Sequence, residues 1–306
     1  MKSGVKYLIT GGAGFIGANL VKDLVKRGEE VLVIDNLSTG NLENLKEVIN
    51  KVISFKANSA ESLNISEIKG LKGIFHLGIP SSSPMYKENH FLIGGSINEF
   101  LGILELCRRE NCKLVYASSS SLYNGNQPPF KEEMDIMPSD YYSEARYAME
   151  RLAEMYSKLY GVQAIGLRLF SVYGKGEEYK GKYANLASQF LWSMQKGEAP
   201  LIYGDGNQAR DFIFVEDVVK AFILAMESET KSDIFNVGRG ESHTLNQLVD
   251  ILQKILNTSL KPAYFQNPIK NYVFHTLADT AKTEDILGFK AMYSLEQGIK
   301  EILASE

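Results

Sequence analysis

Short apolar runs alternate with amphipathic stretches through the first half of the chain. Residues 5–10, 31–34, 51–55, 73–77, 113–117 and 163–167 have the length and apolar density of buried strands. Between them, 15–27, 42–50, 93–109 and 142–160 carry apolar side chains at helical spacing. Strict alternation of strand and helix predicts βαβ units, and so a parallel sheet covered on both faces. Right-handed crossovers then leave a doubly wound sheet as the expected architecture.

Past residue 170 the rhythm changes. Gly174, Gly176 and Gly181 punctuate a polar, Lys-rich stretch, a helix is expected over 184–196, and Gly204-Asp205-Gly206 reads as a turn. The segment 261–271 contains Pro262 and Pro268 and reads as irregular. The expectation is a smaller α/β C-terminal lobe over 173–306 packed on the sheet of 1–172. A return segment near 212–240, including strands at 212–215 and 234–237, is expected to rejoin the first lobe.

Composition narrows the function classes. In 306 residues, 33 Lys and Arg face 37 Asp and Glu, a formal charge of −4. That balance offers no basic field for nucleic acid and no polybasic anchor for a membrane surface. No apolar stretch approaches the roughly 18–20 residues of a spanning helix. The opening residues lack a secretory-signal pattern, so a soluble, cytoplasmic protein is expected. Cys107 and Cys112 are the only cysteines, and the four His, at 76, 90, 243 and 275, are scattered. Neither set has metal-site spacing, so no metal is expected.

The strongest chemical signal is Ile9-Thr10-Gly11-Gly12-Ala13-Gly14-Phe15-Ile16-Gly17, which joins the first strand to the first helix. Gly11 permits a tight turn, Gly14 lets backbone approach a pyrophosphate, and Gly17 allows close helix packing. The helix N-terminus offers free N–H groups and the positive end of its dipole to phosphate. Asp35, followed by Asn36, ends the second strand 18 residues after Gly17. A carboxylate there accepts bonds from ribose hydroxyls and repels a 2′-phosphate, so NAD is the expected cofactor and 1–172 an NAD-binding Rossmann domain.

These motifs extend further. Asp35-Asn36-Leu37-Ser38-Thr39-Gly40, Phe75-His76-Leu77-Gly78, Ser118-Ser119-Ser120-Ser121-Leu122-Tyr123, 167–174, 202–212 and Val215-Glu216-Asp217-Val218 accompany the glycine loop. Together they resemble an extended short-chain dehydrogenase/reductase, and within it the nucleotide-sugar epimerases of the UDP-glucose 4-epimerase type. The resemblance implies that bound NAD takes a hydride from a sugar ring carbon, usually C4, while a tyrosinate removes the hydroxyl proton. The 4-keto sugar turns over and receives the hydride on its other face. It also implies Ser119 as the residue bonding the reacting hydroxyl, with Ser120 and Ser121 beside the substrate. Leu77 and Asn58 fall at cofactor-contacting positions, and Ser171, Arg210 and Lys270 at substrate-contacting ones. Arg210 matches an arginine that grips the substrate diphosphate. His76 reads as a packed strand-end residue. Helices 93–109 and 142–160 correspond to a family dimer interface, so a homodimer is expected, with Ile97, Leu101, Leu104, Leu152, Met155 and Leu159 as its apolar stripes.

The chain departs from this family at one informative place. Tyr142-Ser143-Glu144-Ala145-Arg146 aligns with YxxxK, and none of the 16 tyrosines has Lys four residues later. Arg146 keeps the charge and can bind ribose hydroxyls, but cannot release a proton, so relay through this side chain is lost. Serine at 120 and 121 supplies no acid for elimination or decarboxylation, although Pro80–Tyr86 resembles a loop of the sugar-nucleotide decarboxylases. The expected function is therefore C4 epimerisation of a nucleotide-diphosphate sugar, most simply a UDP-sugar. The alternatives are a nucleotide-sugar decarboxylase or dehydrogenase, and a catalytically inactive NAD-binding sensor.

Overall fold

The computed structural model describes residues 6–52, 54–56, 68–267 and 272–304. Strand β1 (Lys6–Thr10) leads through the glycine loop into α1 (Phe15–Lys26), followed by β2 (Glu30–Ile34), β3 (Ser54–Lys56) and β4 (Leu71–His76). Helices α2 (Ser83–Glu88) and α3 (Leu92–Glu110) precede β5 (Lys113–Ser119), α4 (Tyr141–Tyr160) and β6 (Ala164–Leu169). The second half runs through β7 (Ser171–Tyr173), α5 (Leu186–Gln195), β8 (Leu201–Tyr203), β9 (Ala209–Phe214) and α6 (Val215–Glu227). It continues with β10 (Asp233–Val237), β11 (Ser242–Thr244), α7 (Leu245–Leu256), β12 (Ala263–Phe265), α8 (Ala281–Leu287) and α9 (Leu295–Leu303).

Seven strands form one parallel sheet in the order β10-β6-β5-β4-β1-β2-β3. This is the doubly wound architecture that the alternating pattern predicts. Successive residues of each strand point to opposite faces, and both faces are covered. Ile9, Val33, Phe75 and Val115 pack with Leu20, Val21 and Phe222 of α1 and α6. Leu8, Leu32, Ile74 and Leu114 pack with Phe100, Leu104 and Met149 of α3 and α4. Burial on both sides is why these strands read as continuous apolar runs. A third core gathers Phe190, Leu191, Ile202, Leu248, Leu252 and Ile299, together with Phe15 of α1.

Capping fixes where α4 begins, and so where its chemistry sits. Asp140 Oδ1 accepts from Ser143 N at 2.8 Å, and Ser143 Oγ accepts from Asp140 N at 3.2 Å, a reciprocal capping box. Tyr142 thereby falls in the first turn. Gly161, at φ +70°, ends the helix in the left-handed region.

Four segments differ from the sequence expectation. The helix expected over 42–50 is two 3-10 turns, Leu42–Leu45 and Ile49–Lys51. Asn41 Oδ1 caps Glu43 N, and the buried Asn44 turns inward to Ala13 O (3.1 Å), so side-chain bonds compete with α-helical ones. The strand expected at 51–55 lies at Ser54–Lys56. Of the strand expected at 212–215, residues 212–214 belong to β9, which pairs with β7 and β11 in a separate three-stranded sheet, and Val215 opens α6, whereas β10 joins the main sheet beside β6. The tail expected to be irregular contains β12, which pairs in parallel with β8.

Candidate active site

A cleft of about 430 Å³ runs along the C-terminal ends of the strands, from the glycine loop and Asp35 across Leu77–Ser81 to Ser119, Tyr142, Arg146 and Ser171. Its position is the crevice at the carboxyl ends of an open parallel sheet. The glycines are required by contact. Gly11 adopts φ +67°, and a Cβ there would sit 2.7 Å from the Gly78 backbone. A Cβ on Gly17 would lie 2.0 Å from Gly11 O, so α1 closes onto the loop itself rather than onto the strand. Gly14 is the N-cap of α1 and makes no side-chain cap, leaving the first-turn N–H groups directed at the cleft. Phe15 and Ile16 line the same end.

Asp35 is buried at the end of β2. Its Oδ2 accepts from Ala13 N (2.9 Å) and its Oδ1 from Leu37 N (2.8 Å). Burial raises its pKa above the ordinary value, and the backbone N–H bonds work in the opposite direction. Asp35 also lines the cleft, where a carboxylate can accept further bonds from a ligand. Asn36 lines the cleft beside it, and Gly40 is essential to the approach, since a Cβ there would meet Asp35 Oδ1 at 2.8 Å. An uncapped helix N-terminus, a glycine cradle that a Cβ would fill, and a carboxylate at the next strand end together fit a dinucleotide.

At the other end of the cleft β5 delivers the serine run. Ser119 is buried, and its Oγ accepts from Ser121 N at 3.1 Å, which turns the chain into a 3-10 turn. Ser120 and Ser121 line the cleft, as does Ser171 at the start of β7. Tyr142 and Arg146 lie one turn apart on α4, with the guanidinium over the Tyr142 ring at 4.8 Å. The ring packs edge-on against buried Tyr86 (5.6 Å), whose hydroxyl donates to Ser96 Oγ. Arg146 is itself buried. Its Nη2 donates to Pro80 O (3.0 Å) and its Nη1 to Ala117 O (3.4 Å). Among the described residues no ion pair is made by Arg146, and its charge faces two backbone carbonyls and the Tyr142 ring.

Behind the serine run lies a satisfied ionic network. Arg168 makes two bonds to Glu150, Nε to Oε1 (3.0 Å) and Nη2 to Oε2 (2.8 Å), and Ser118 Oγ donates to Glu150 Oε1 (2.6 Å). Arg168 Nη1 also donates to Tyr123 Oη (2.7 Å), which donates to Asn236 Oδ1 (2.8 Å). Glu150 stands one turn beyond Arg146, so this network pegs α4 to the strand ends that carry the serines.

His76 is fully buried, bonded through Nδ1 to Thr10 Oγ1 (2.8 Å), and does not line the cleft. Burial first, and the Arg146 charge second, push its pKa down to about 3, so the ring is neutral. Leu77 lines the cleft. Arg210 is placed apart from the cleft lining. Its Nη1 donates to Ala209 O (2.8 Å) and Phe274 O (3.3 Å), and the guanidinium stacks on Tyr272 at 5.3 Å. Asn58 and Lys270 lie outside the described residues.

Two lining groups, Glu99 and Lys180, carry no motif. Lys180 pairs with the buried Glu177 (2.9 Å) and lies over the Phe15 ring (5.5 Å). Its position among glycines and lysines read only as a polar loop.

Comparison with known proteins agrees with this geometry. The profile of the NAD dependent epimerase/dehydratase family matches residues 7–238. A Methanocaldococcus jannaschii protein, provisionally named a UDP-glucose 4-epimerase, is 34% identical over 305 residues, covering 97% of this chain and 96% of that protein. The UDP-N-acetylglucosamine 4-epimerase of Methanobrevibacter ruminantium, solved with UDP-N-acetylmuramic acid, superimposes with a TM-score of 0.92 at 29% identity over 99% of both chains. The UDP-glucose 4-epimerase of Thermotoga maritima, solved with UDP-glucose, gives 0.91 at 31% identity over 98% of both. The chain belongs to the NAD-dependent epimerase/dehydratase family.

Proposed function

We propose that this chain is an isomerase that inverts C4 of a UDP-hexose with NAD as its cofactor. The observation that carries this reading is the union, in one cleft, of the glycine loop and Asp35 with Ser119, Tyr142 and Arg146. The 4-epimerases among its relatives and structural neighbours support it. Gly11, Gly14, Gly17 and the α1 N-terminus would hold the cofactor pyrophosphate, and Asp35 the adenosine ribose. When bound, NAD supplies a reversible acceptor for the hydride of a sugar carbon.

Tyr142 is assigned the removal of the C4 hydroxyl proton and its return to the inverted alcohol. Ser119 Oγ holds that hydroxyl in place. Arg146, fixed by Pro80 O and Ala117 O, stabilises the negative charge that develops on the phenolic oxygen, and it passes no proton because arginine stays protonated. Serines 120 and 121 put no carboxyl group where elimination would need one.

We extend the proposal to a homodimer joined through α3 and α4. Met155 and Leu159 of α4 stand 48% and 65% exposed, beyond their own core, whereas Leu104 is fully buried in it. A cytoplasmic location goes with this reading, in keeping with two free, buried cysteines. No helix among the described residues is long and apolar enough to cross a membrane.

The test is incubation with a panel of UDP-, GDP-, dTDP- and CDP-sugars, read by NMR of the products and absorbance at 340 nm. The proposal expects a C4 epimer of a UDP-sugar and no net absorbance change. Loss of CO₂ or net formation of NADH would move the assignment to a decarboxylase or dehydrogenase. NAD binding without turnover of any sugar would make the chain a sensor.

A further inference from the structure

The segment Pro80–Tyr86 touches the start of α4 at three points. Pro80 O accepts from Arg146 Nη2 at 3.0 Å. Ser83 Oγ, in the first turn of α2, donates to Asp140 Oδ2, the cap of α4. The Tyr86 ring meets the Tyr142 ring edge-on, with centroids 5.6 Å apart. Spaced three residues apart, these contacts seat one short segment on the two turns of α4 that carry Tyr142 and Arg146.

Two of the three contacts bear on the Tyr142 ring. The Arg146 guanidinium, held by Pro80 O, lies over that ring at 4.8 Å. Tyr86 is fully buried, and its hydroxyl is tied to Ser96 Oγ at 2.8 Å, so its ring is fixed from α3. Tyr86, Tyr142 and Ala145 form a small buried cluster separate from the cores of the sheet. The placement of Tyr142 therefore depends on how the 80–86 segment sits on α4.

Asp140 is built to control that seating. Its Oδ1 caps the helix by accepting from Ser143 N at 2.8 Å, and its Oδ2 takes Ser83. A cap alone requires one oxygen, which a serine would supply as well. The second oxygen is what reaches α2. We propose that Ser83 and Asp140 are positioning residues for the proton transfer: their hydrogen bond seats the 80–86 segment on α4 and so holds Tyr142 between Tyr86 and Arg146. The inference rests on the reading of Tyr142 as the group that moves the C4 hydroxyl proton.

The test has a spectroscopic arm and a kinetic arm. In substrate-free protein carrying ¹³C-labelled tyrosine rings, Tyr142 is assigned among the 16 tyrosines by the signal lost in Tyr142→Phe. Its ring shift, set by the Tyr86 edge and the Arg146 charge, should move in Ser83→Ala and return in Ser83→Thr, which keeps the hydroxyl. A Tyr142 signal unchanged in Ser83→Ala overturns the proposal. This arm needs no turnover, so it stands or falls separately from the epimerase reading.

The kinetic arm follows UDP-galactose turnover. Ser83→Ala should lower kcat roughly tenfold with KM changed less than about twofold, and Ser83→Thr should recover most of that loss. Asp140→Ser keeps a cap on α4 but is too short to reach Ser83, so it should show the same loss of kcat. In that background the penalty of Ser83→Ala should shrink to less than about threefold, the coupling expected of residues that act together. Equal penalties in both backgrounds would make the two residues independent and overturn the proposal. Should Ser83→Ala fail to fold, the Tyr142 signal and kcat of Asp140→Ser decide, and wild-type values of both overturn it.

Discussion

The Arg146 guanidinium lies 4.8 Å from the Tyr142 ring centre, one helical turn away, and both its terminal nitrogens are spent on backbone carbonyls of Pro80 and Ala117. It is thus a buried cation with no carboxylate partner among the described residues, set against the one tyrosine that aligns with the family's base. Tyr142→Phe should cut kcat by about 10²–10⁴, the span of a general acid–base contribution, and leave NAD binding nearly intact by calorimetry. Arg146→Ala should collapse turnover and weaken NAD binding, whereas Arg146→Lys should keep or raise activity. Wild-type turnover in Tyr142→Phe would assign the base elsewhere.

Asp35 sets the cofactor preference in this account. Its two oxygens are aligned by Ala13 N and Leu37 N, and Gly40 leaves room for that alignment. Asp35→Ala should weaken NAD by about 1–3 kcal/mol in calorimetry, the value of hydrogen bonds to a charged group. It should also narrow the preference over NADP. Tighter binding of NADP than of NAD by the unaltered protein would contradict the assignment.

Burial of His76 gives acid sensitivity with a definite sign. Its folded pKa of about 3 lies below the ordinary 6.5, so the unfolded chain binds a proton that the folded ring refuses. The resulting stability is present above pH 6.5 and is lost as pH falls toward 3. At about 1.4 kcal/mol per pH unit, the unaltered protein should lose about 2 kcal/mol more than His76→Gln between pH 6.5 and 5. Urea unfolding of both proteins at the two pH values measures the difference, and equal losses would contradict it.

The α4 surface makes an assembly prediction. Leu159→Lys combined with Met155→Glu should convert the proposed dimer to a monomer by light scattering at micromolar concentration, because charges would enter an apolar contact. A monomeric unaltered protein would rule out the dimer itself.

What could be read from sequence was local. The β1–α1 loop, Asp35 and the Tyr142–Arg146 pair announce themselves because glycine spacing and helical periodicity act over a few residues. The turns at 42–51 were hidden, because Asn44 is drawn inward by Ala13 O and by Gly176 O, which lies 132 residues away in sequence. The pairing of β12 with β8 is likewise a meeting of distant short segments that periodicity does not register. Arg210 matched a motif, yet its orientation is set by Tyr272 and by the carbonyls of Ala209 and Phe274. The Pro80 carbonyl that holds Arg146 has no side-chain signature, since any residue would supply it.

The central claim is that hydride leaves C4 of a UDP-sugar and returns to the same carbon within one protein. Incubation with UDP-glucose carrying deuterium at C4, followed by ¹H and ²H NMR, tests it directly. The account predicts UDP-galactose with the deuterium still at C4 and no net change at 340 nm. Deuterium lost to solvent, or no C4 epimer from a protein that binds NAD and UDP-glucose, would contradict it.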